Sequence, residues 1–291
     1  MAMAAFVCGL NLQARKERCQ RLRLCMRESD GVRTAPPTVP EALNMTIKES
    51  IRNAVLSGQR AMRVDVRSGE TDPDSPIYDE MMVVTVAAQA VDSMSTMLGE
   101  ESKILIVSDL TTKVDLVATR LVEASTNLSQ SKLRVVAIPE DAEGFKVDVD
   151  EDLVVILSPT NQPGRSVTKQ VRQIIRAAFG RRTIVVNQRL DSVVGVNADG
   201  SEKRVGMLPV EIGKFEAAYV WEMYQIRKKG KPTAKLEDLD MVLIVHRKYP
   251  EPICIFRLDT MDRVCSLVHE CGSTLPSHKN ILTIAARLMD G

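Results

Sequence analysis

Short aliphatic runs at residues 104–107, 153–157 and 183–186 each break off at polar residues, and stretches with helical spacing separate them. Runs of Val, Ile and Leu without alternation predict strands buried on both faces. Such strands, joined through helices, predict parallel pairing with helices over both sides. The expected fold class is therefore α/β: a three-layer, Rossmann-like, mostly parallel sheet with helices on both faces.

The order of segments fills this frame. Leu43, Ile47, Ile51 and Val55 recur every fourth residue, which predicts a helix over 40–59 with Gly58 near its end. Residues 61–66 alternate apolar and charged side chains and predict a strand at or near a sheet edge. Ser75-Pro76 reads as a helix start, followed by a long apolar helix over 77–98 that Gly99 stops. Helices are expected over 112–126 and from Arg165 onward, and a strand over 133–138. Val167, Val171, Ile174, Ile175 and Ala178 form the inward stripe of the helix after Arg165. From Gly195 the pattern changes: a turn at 197–201, a strand-like stretch at 215–226, a basic loop at 227–235, then strands at 241–246 and 253–258. Strands without helices between them predict an antiparallel C-terminal extension of the sheet. A helix over 279–289 closes the chain.

Charge is spread unevenly. Residues 1–33 hold seven Lys/Arg against three Asp/Glu, whereas the whole chain of 291 residues carries only +1. An uncharged start followed by an Arg-rich stretch suits an organelle transit peptide, the alternative being a disordered basic arm. Residues 34–39 read as a linker and 40–291 as a single α/β domain. The near-neutral body does not read as a nucleic-acid binder. The longest apolar run, residues 81–91, is broken by Thr85 and Gln89 and reads as a buried helix, so no transmembrane segment is expected. Cys254, Cys265 and Cys271 are expected as reduced thiols.

Ligands of open α/β sheets sit beyond the carboxyl ends of the strands. Three such ends are polar here, and they supply the candidate ligand-binding set Asp109, Asn161, Gln162, Gly164, Arg165, Asn187 and Arg189. Gly164 permits close backbone approach, free N–H groups at the following helix start favour an anion, and the two arginines offer bidentate contacts. Against this, polar turn residues at these places also serve simply to satisfy loop backbone. Phosphate-loop, dinucleotide and nucleophile-elbow signatures are missing, so no catalytic residue and no cofactor is assigned. Cys265, His269, Cys271 and His278 match no standard zinc spacing; Val264, Leu267 and Val268 around them read as core, and no metal site is expected. His246 reads as a satisfied surface histidine at a strand ending.

The stretches V-I-L-S-P-T-N-Q-P-G at 155–164, V-V-N-Q-R-L-D at 185–191, F-E-A-A-Y at 215–219 and R-K-Y-P at 247–250 resemble a plant, algal and cyanobacterial family. It is a domain of unknown function found in low-PSII-accumulation (photosystem II assembly) proteins and fused behind a chloroplast adenylate kinase. The likeness spans about residues 40–259. The family often has proline where this chain has Gln188, a departure expected to loosen that turn. The resemblance implies a chloroplast address, in the stroma or peripheral to the thylakoid. The leading expectation is a non-enzymatic binding or assembly factor with thylakoid or photosystem assembly proteins as partners. The runner-up is a binder of, or enzyme acting on, an anionic small molecule, phosphorylated or nucleotide-like, and a third alternative is purely structural use of the fold.

Overall fold

The computed structural model describes residues 35–37, 40–73, 75–99, 101–162, 165–190, 195–196, 202–203, 210–226, 241–259, 262 and 264–290. In chain order the elements are α1 (Pro40–Leu56), β1 (Ala61–Arg67), α2 (Glu80–Leu98), β2 (Lys103–Ser108), α3 (Val114–Ala124), a 3-10 turn (Gln130–Lys132) and β3 (Leu133–Ala137). There follow β4 (Glu151–Leu157), α4 (Thr168–Ala177), β5 (Arg182–Val186), β6 (Gly195–Val196), β7 (Glu202–Lys203), α5 (Val210–Gly213), β8 (Glu216–Ile226), β9 (Met241–Lys248), β10 (Ile253–Leu258), β11 (Cys265–Gly272) and α6 (His278–Asp290). The protein is a mixed α/β molecule with two compact units: Ile47–Asp65 with Asp79–Ala218, and the remaining described residues.

The first unit is the expected α/β body. Its strands lie in the order β1-β5-β4-β2-β3, and each of the four pairs is parallel. Leu105, Val107, Val154, Ile156 and Val185 face one way and pack with Val167, Val171, Ile174 and Ala178 of the α4 segment. Complete burial of Val171 and Ile174 contributes about 1.5–3 kcal/mol each. The alternate residues Ile104, Ile106, Leu153, Val155 and Ile184 are equally buried. By the period-two geometry of a strand they point to the opposite face, where α2 packs on β4.

Several boundaries differ from expectation for identifiable reasons. α2 begins at Glu80 rather than near Ile77, because Asp79 caps it by accepting the Met81 N–H at 2.9 Å. Gly99, at φ +93°, stops it as expected. α2 is long and apolar enough to cross a membrane by length and composition, and 67% of its apolar window is buried inside the molecule. β1 is not an exposed edge. Its charged alternates Arg63 and Asp65 are 6% and 0% exposed, and they lie 3.0 Å apart, so mutual neutralisation carries them inward.

The second unit holds the antiparallel C-terminal series, in the order β8-β9-β10-β11. β11 is a strand beyond those expected from the sequence pattern. Val264 and Leu267, expected in the core, are 45% and 50% exposed, because β11 is the outermost strand of the series and most of its residues are open to solvent. The turn at 197–201 falls between β6 and β7, which pair antiparallel, and it lies outside the described residues, as does the basic loop at 227–235.

Candidate functional site

The parallel register aligns the strand ends: Ser108 stands opposite Leu157, and Leu157 opposite Val186. Asp109, residues 158–162 and residues 187–189 therefore leave the sheet side by side. The second and third ends are also bridged, Thr160 with Arg189. The Asn161 N–H donates to the Arg189 carbonyl at 3.1 Å, and the Arg189 N–H to the Pro159 carbonyl at 2.8 Å.

Two of these ends hold strained backbone without glycine. Ser158 and Asn187 have φ of +50° and +49°. Left-handed backbone at a non-glycine residue costs of order 1–3 kcal/mol and persists only where its surroundings impose it. The sheet does so here: the Ser158 N–H is held by the Val186 carbonyl and the Asn187 N–H by the Val64 carbonyl, each at 2.8 Å. Asparagine tolerates the conformation better than most residues. Ser158 carries no sequence mark that would have flagged it.

Asn161 is the knot of the rim. Its carboxamide nitrogen donates to the Leu190 carbonyl at 2.6 Å and to Thr168 Oγ1 at 3.0 Å. Its Oδ1 accepts from Ser166 Oγ at 3.1 Å and from the Val167 N–H at 3.0 Å. The start of α4 thus receives an acceptor from the protein itself, and the N–H of Val167, expected to face an anion, is bonded to Asn161. α4 also begins at Thr168, three residues beyond Arg165, because Ser166 and Val167 are bonded to Asn161 Oδ1 ahead of the helix.

Gln162 and Arg165 exchange backbone hydrogen bonds at 2.8 and 2.9 Å; Gly164, between them in sequence, lies outside the described residues. Gln162 is exposed. The Arg165 guanidinium pairs with Asp109, whose other oxygen accepts the Thr160 N–H at 2.8 Å. The Asp109 side chain is only 1% exposed, that of Arg165 49%. Burial pushes the Asp109 carboxyl above its ordinary range, against the pull of Arg165 and the Thr160 N–H.

Gln188 does the opposite of loosening its turn. It is 1% exposed and its Oε1 accepts the Leu190 N–H at 3.0 Å, so a side-chain hydrogen bond secures the turn. Asn187 is buried and Arg189 half-buried. Beside this row, Glu80 at the head of α2 accepts both N–H and hydroxyl groups of Thr111 and Thr112. Burial opposes ionisation of Glu80, but these four bonds outweigh it and hold the carboxyl below its ordinary range. No local pattern signals this link, which joins residues more than thirty positions apart.

Among the described residues, no group of three or more His, Cys, Asp or Glu side chains is placed to hold a metal ion. His246, expected at the surface, is 2% exposed within β9.

Fold and rim together define an α/β protein whose strand-end loops are fastened by their own side chains and backbone. The family model described as Domain of unknown function (DUF1995) matches residues 36–279, and the chain belongs to that family. A comparison with curated proteins finds no match.

Proposed function

We propose that this protein is a non-enzymatic binding or assembly factor serving the photosynthetic apparatus, located in the plastid stroma or peripheral to the thylakoid. The observation that supports the non-enzymatic reading is the state of the rim. Asn161, Asp109 and Gln188 spend their hydrogen-bonding capacity on neighbouring loops, which stiffens a platform and leaves Gln162 and Arg165 at its surface. The basic stretch at 1–33 and the resemblance to photosystem II assembly proteins supply the address and the kind of partner. The test is affinity capture from cross-linked thylakoids with the wild type and a Gln162→Ala/Arg165→Ala variant, beside localisation of a fluorescent fusion. Photosystem assembly proteins captured by the wild type and depleted with the variant support the proposal. A location outside plastids, or equal capture by both proteins, sinks it.

A second reading is favoured by the half-exposed Arg165 and half-buried Arg189 beside two strained strand ends. Here the rim takes an anionic small molecule, phosphorylated or nucleotide-like. A ligand specific to the native state raises apparent stability. A thermal-shift screen of phosphorylated metabolites and nucleotides should then give a stabilising hit that Arg189→Ala loses; a screen without one rejects this reading.

A further inference from the structure

The antiparallel unit carries a second polar set, different in character from the rim. Tyr219 and Trp221 are two apart on β8 and so share a face, and Trp221 is the register partner of His246 on β9. The stretches 215–219 and 247–250, singled out in the sequence, end at Tyr219 and begin beside His246. The three side chains are 0%, 5% and 2% exposed. The Tyr219 and His246 rings meet edge to face at 5.6 Å, and Phe256 lies 6.3 Å from His246.

The polar atoms of this face have defined roles. His246 Nδ1 lies 3.1 Å from the Val220 carbonyl, and a carbonyl only accepts, so Nδ1 bears the proton. Burial holds the imidazole pKa down to about 4, which keeps the ring neutral and makes Nε2 a bare acceptor. The Trp221 indole N–H is a donor, and the Tyr219 hydroxyl is both. All three atoms are buried, and none has a hydrogen-bond partner among the described residues. Folded proteins pair about nine in ten such groups, so three on adjacent positions of one face are not a chance scatter.

The geometry points to an internal site, lined by Tyr219, Trp221 and His246 against Phe256, for a small uncharged molecule that offers both a hydrogen-bond donor and an acceptor. Aromatic walls with a few placed polar groups are the usual lining of such sites. An ion is disfavoured, because a neutral imidazole, an indole and a phenol leave a buried charge uncompensated. The same chemistry is met by ordered water or by an organic alcohol, carbonyl or amide.

The test is Tyr219→Phe in the full chain, which removes one hydroxyl and leaves the ring packing. A hydroxyl engaged by a bound molecule makes the variant less stable, lowering the thermal midpoint by about 2–4 °C. Nitrogen NMR of His246 should show Nε2 as a hydrogen-bonded acceptor in the wild type. Native mass spectrometry separates the sources: added mass on the purified protein identifies an organic ligand, and bare chain mass together with the stability loss identifies water. A midpoint unchanged or raised in Tyr219→Phe, or an Nε2 resonance free of hydrogen bonding, overturns the inference.

Discussion

Replacing Asp92 by Asn should unfasten a junction between three helices of the parallel unit. Asp92 lies on α2, and its side chain is 3% exposed. Its Oδ2 accepts from Lys48 of α1 at 2.6 Å. Its Oδ1 accepts from Ser125 Oγ at 2.6 Å and from the N–H groups of Thr126 and Asn127 at 3.0 and 2.8 Å, just beyond α3. Burial opposes ionisation, but these bonds and the Lys48 charge outweigh it and bring the carboxyl down from 3.8 to about 2. A pKa lower by one in the folded state than in the unfolded chain is worth about 1.4 kcal/mol, so ionised Asp92 contributes roughly 2–3 kcal/mol at neutral pH. Because the folded pKa lies below the unfolded one, this stability is present above about pH 4 and is lost as pH falls through about 2. Urea unfolding of wild type and Asp92→Asn should therefore differ by roughly 2–3 kcal/mol at pH 7, with about half of that gap gone near pH 3. A gap under about 1 kcal/mol at pH 7, or one that stays constant with pH, would refute the electrostatic account.

Other parts of the structure make separate predictions. Asn161→Ala should cost about 2–3 kcal/mol in chemical unfolding, since it strands the Leu190 carbonyl and the Val167 N–H; a loss below about 0.5 kcal/mol would mean that the rim does not depend on this knot. Gly58→Ala should lower stability by about 1 kcal/mol, because Gly58 sits at φ +86° with nothing within 4 Å of an added Cβ, so any loss is backbone strain alone. His246 should show no titration between pH 5 and 8 by NMR, as burial, with some repulsion from Lys248, holds it near 4. The unfolded chain binds the proton more readily, so stability should fall as pH drops from about 6.5 toward 4. An imidazole pKa near 6.5 would show that the ring is wetted.

The candidate site is legible in outline from the sequence. Asp109, Asn161, Gln162, Arg165, Asn187 and Arg189 do gather at the strand ends, because a strand that stops at a polar residue must release it at the sheet's edge. What local pattern hides is where each group spends its bonds. Asn161 looks like an anion-loop residue in the sequence, yet it accepts the Val167 N–H just ahead of α4 and ties down Leu190, 29 residues away. Gln188 looks like a weakened turn, yet its amide oxygen secures it. Arg63 and Asp65 look like a solvent face until their mutual pairing buries them. His246 looks superficial because nothing in its neighbours on β9 announces the strands that flank it.

The sequence by itself determined the alternation of doubly buried strands with striped helices, the glycine that stops α2, and the change of pattern after Gly195. These follow from side-chain periods and backbone preferences that act over a few residues. Only the tertiary structure decided the strand order, and with it the long-range polar partnerships: Asp109 with Arg165, 56 residues on, and Asp92 with Lys48, 44 residues back. A buried polar group takes whichever partner the sheet order delivers, and that order is set by packing across the whole unit, which no local stretch of chain encodes.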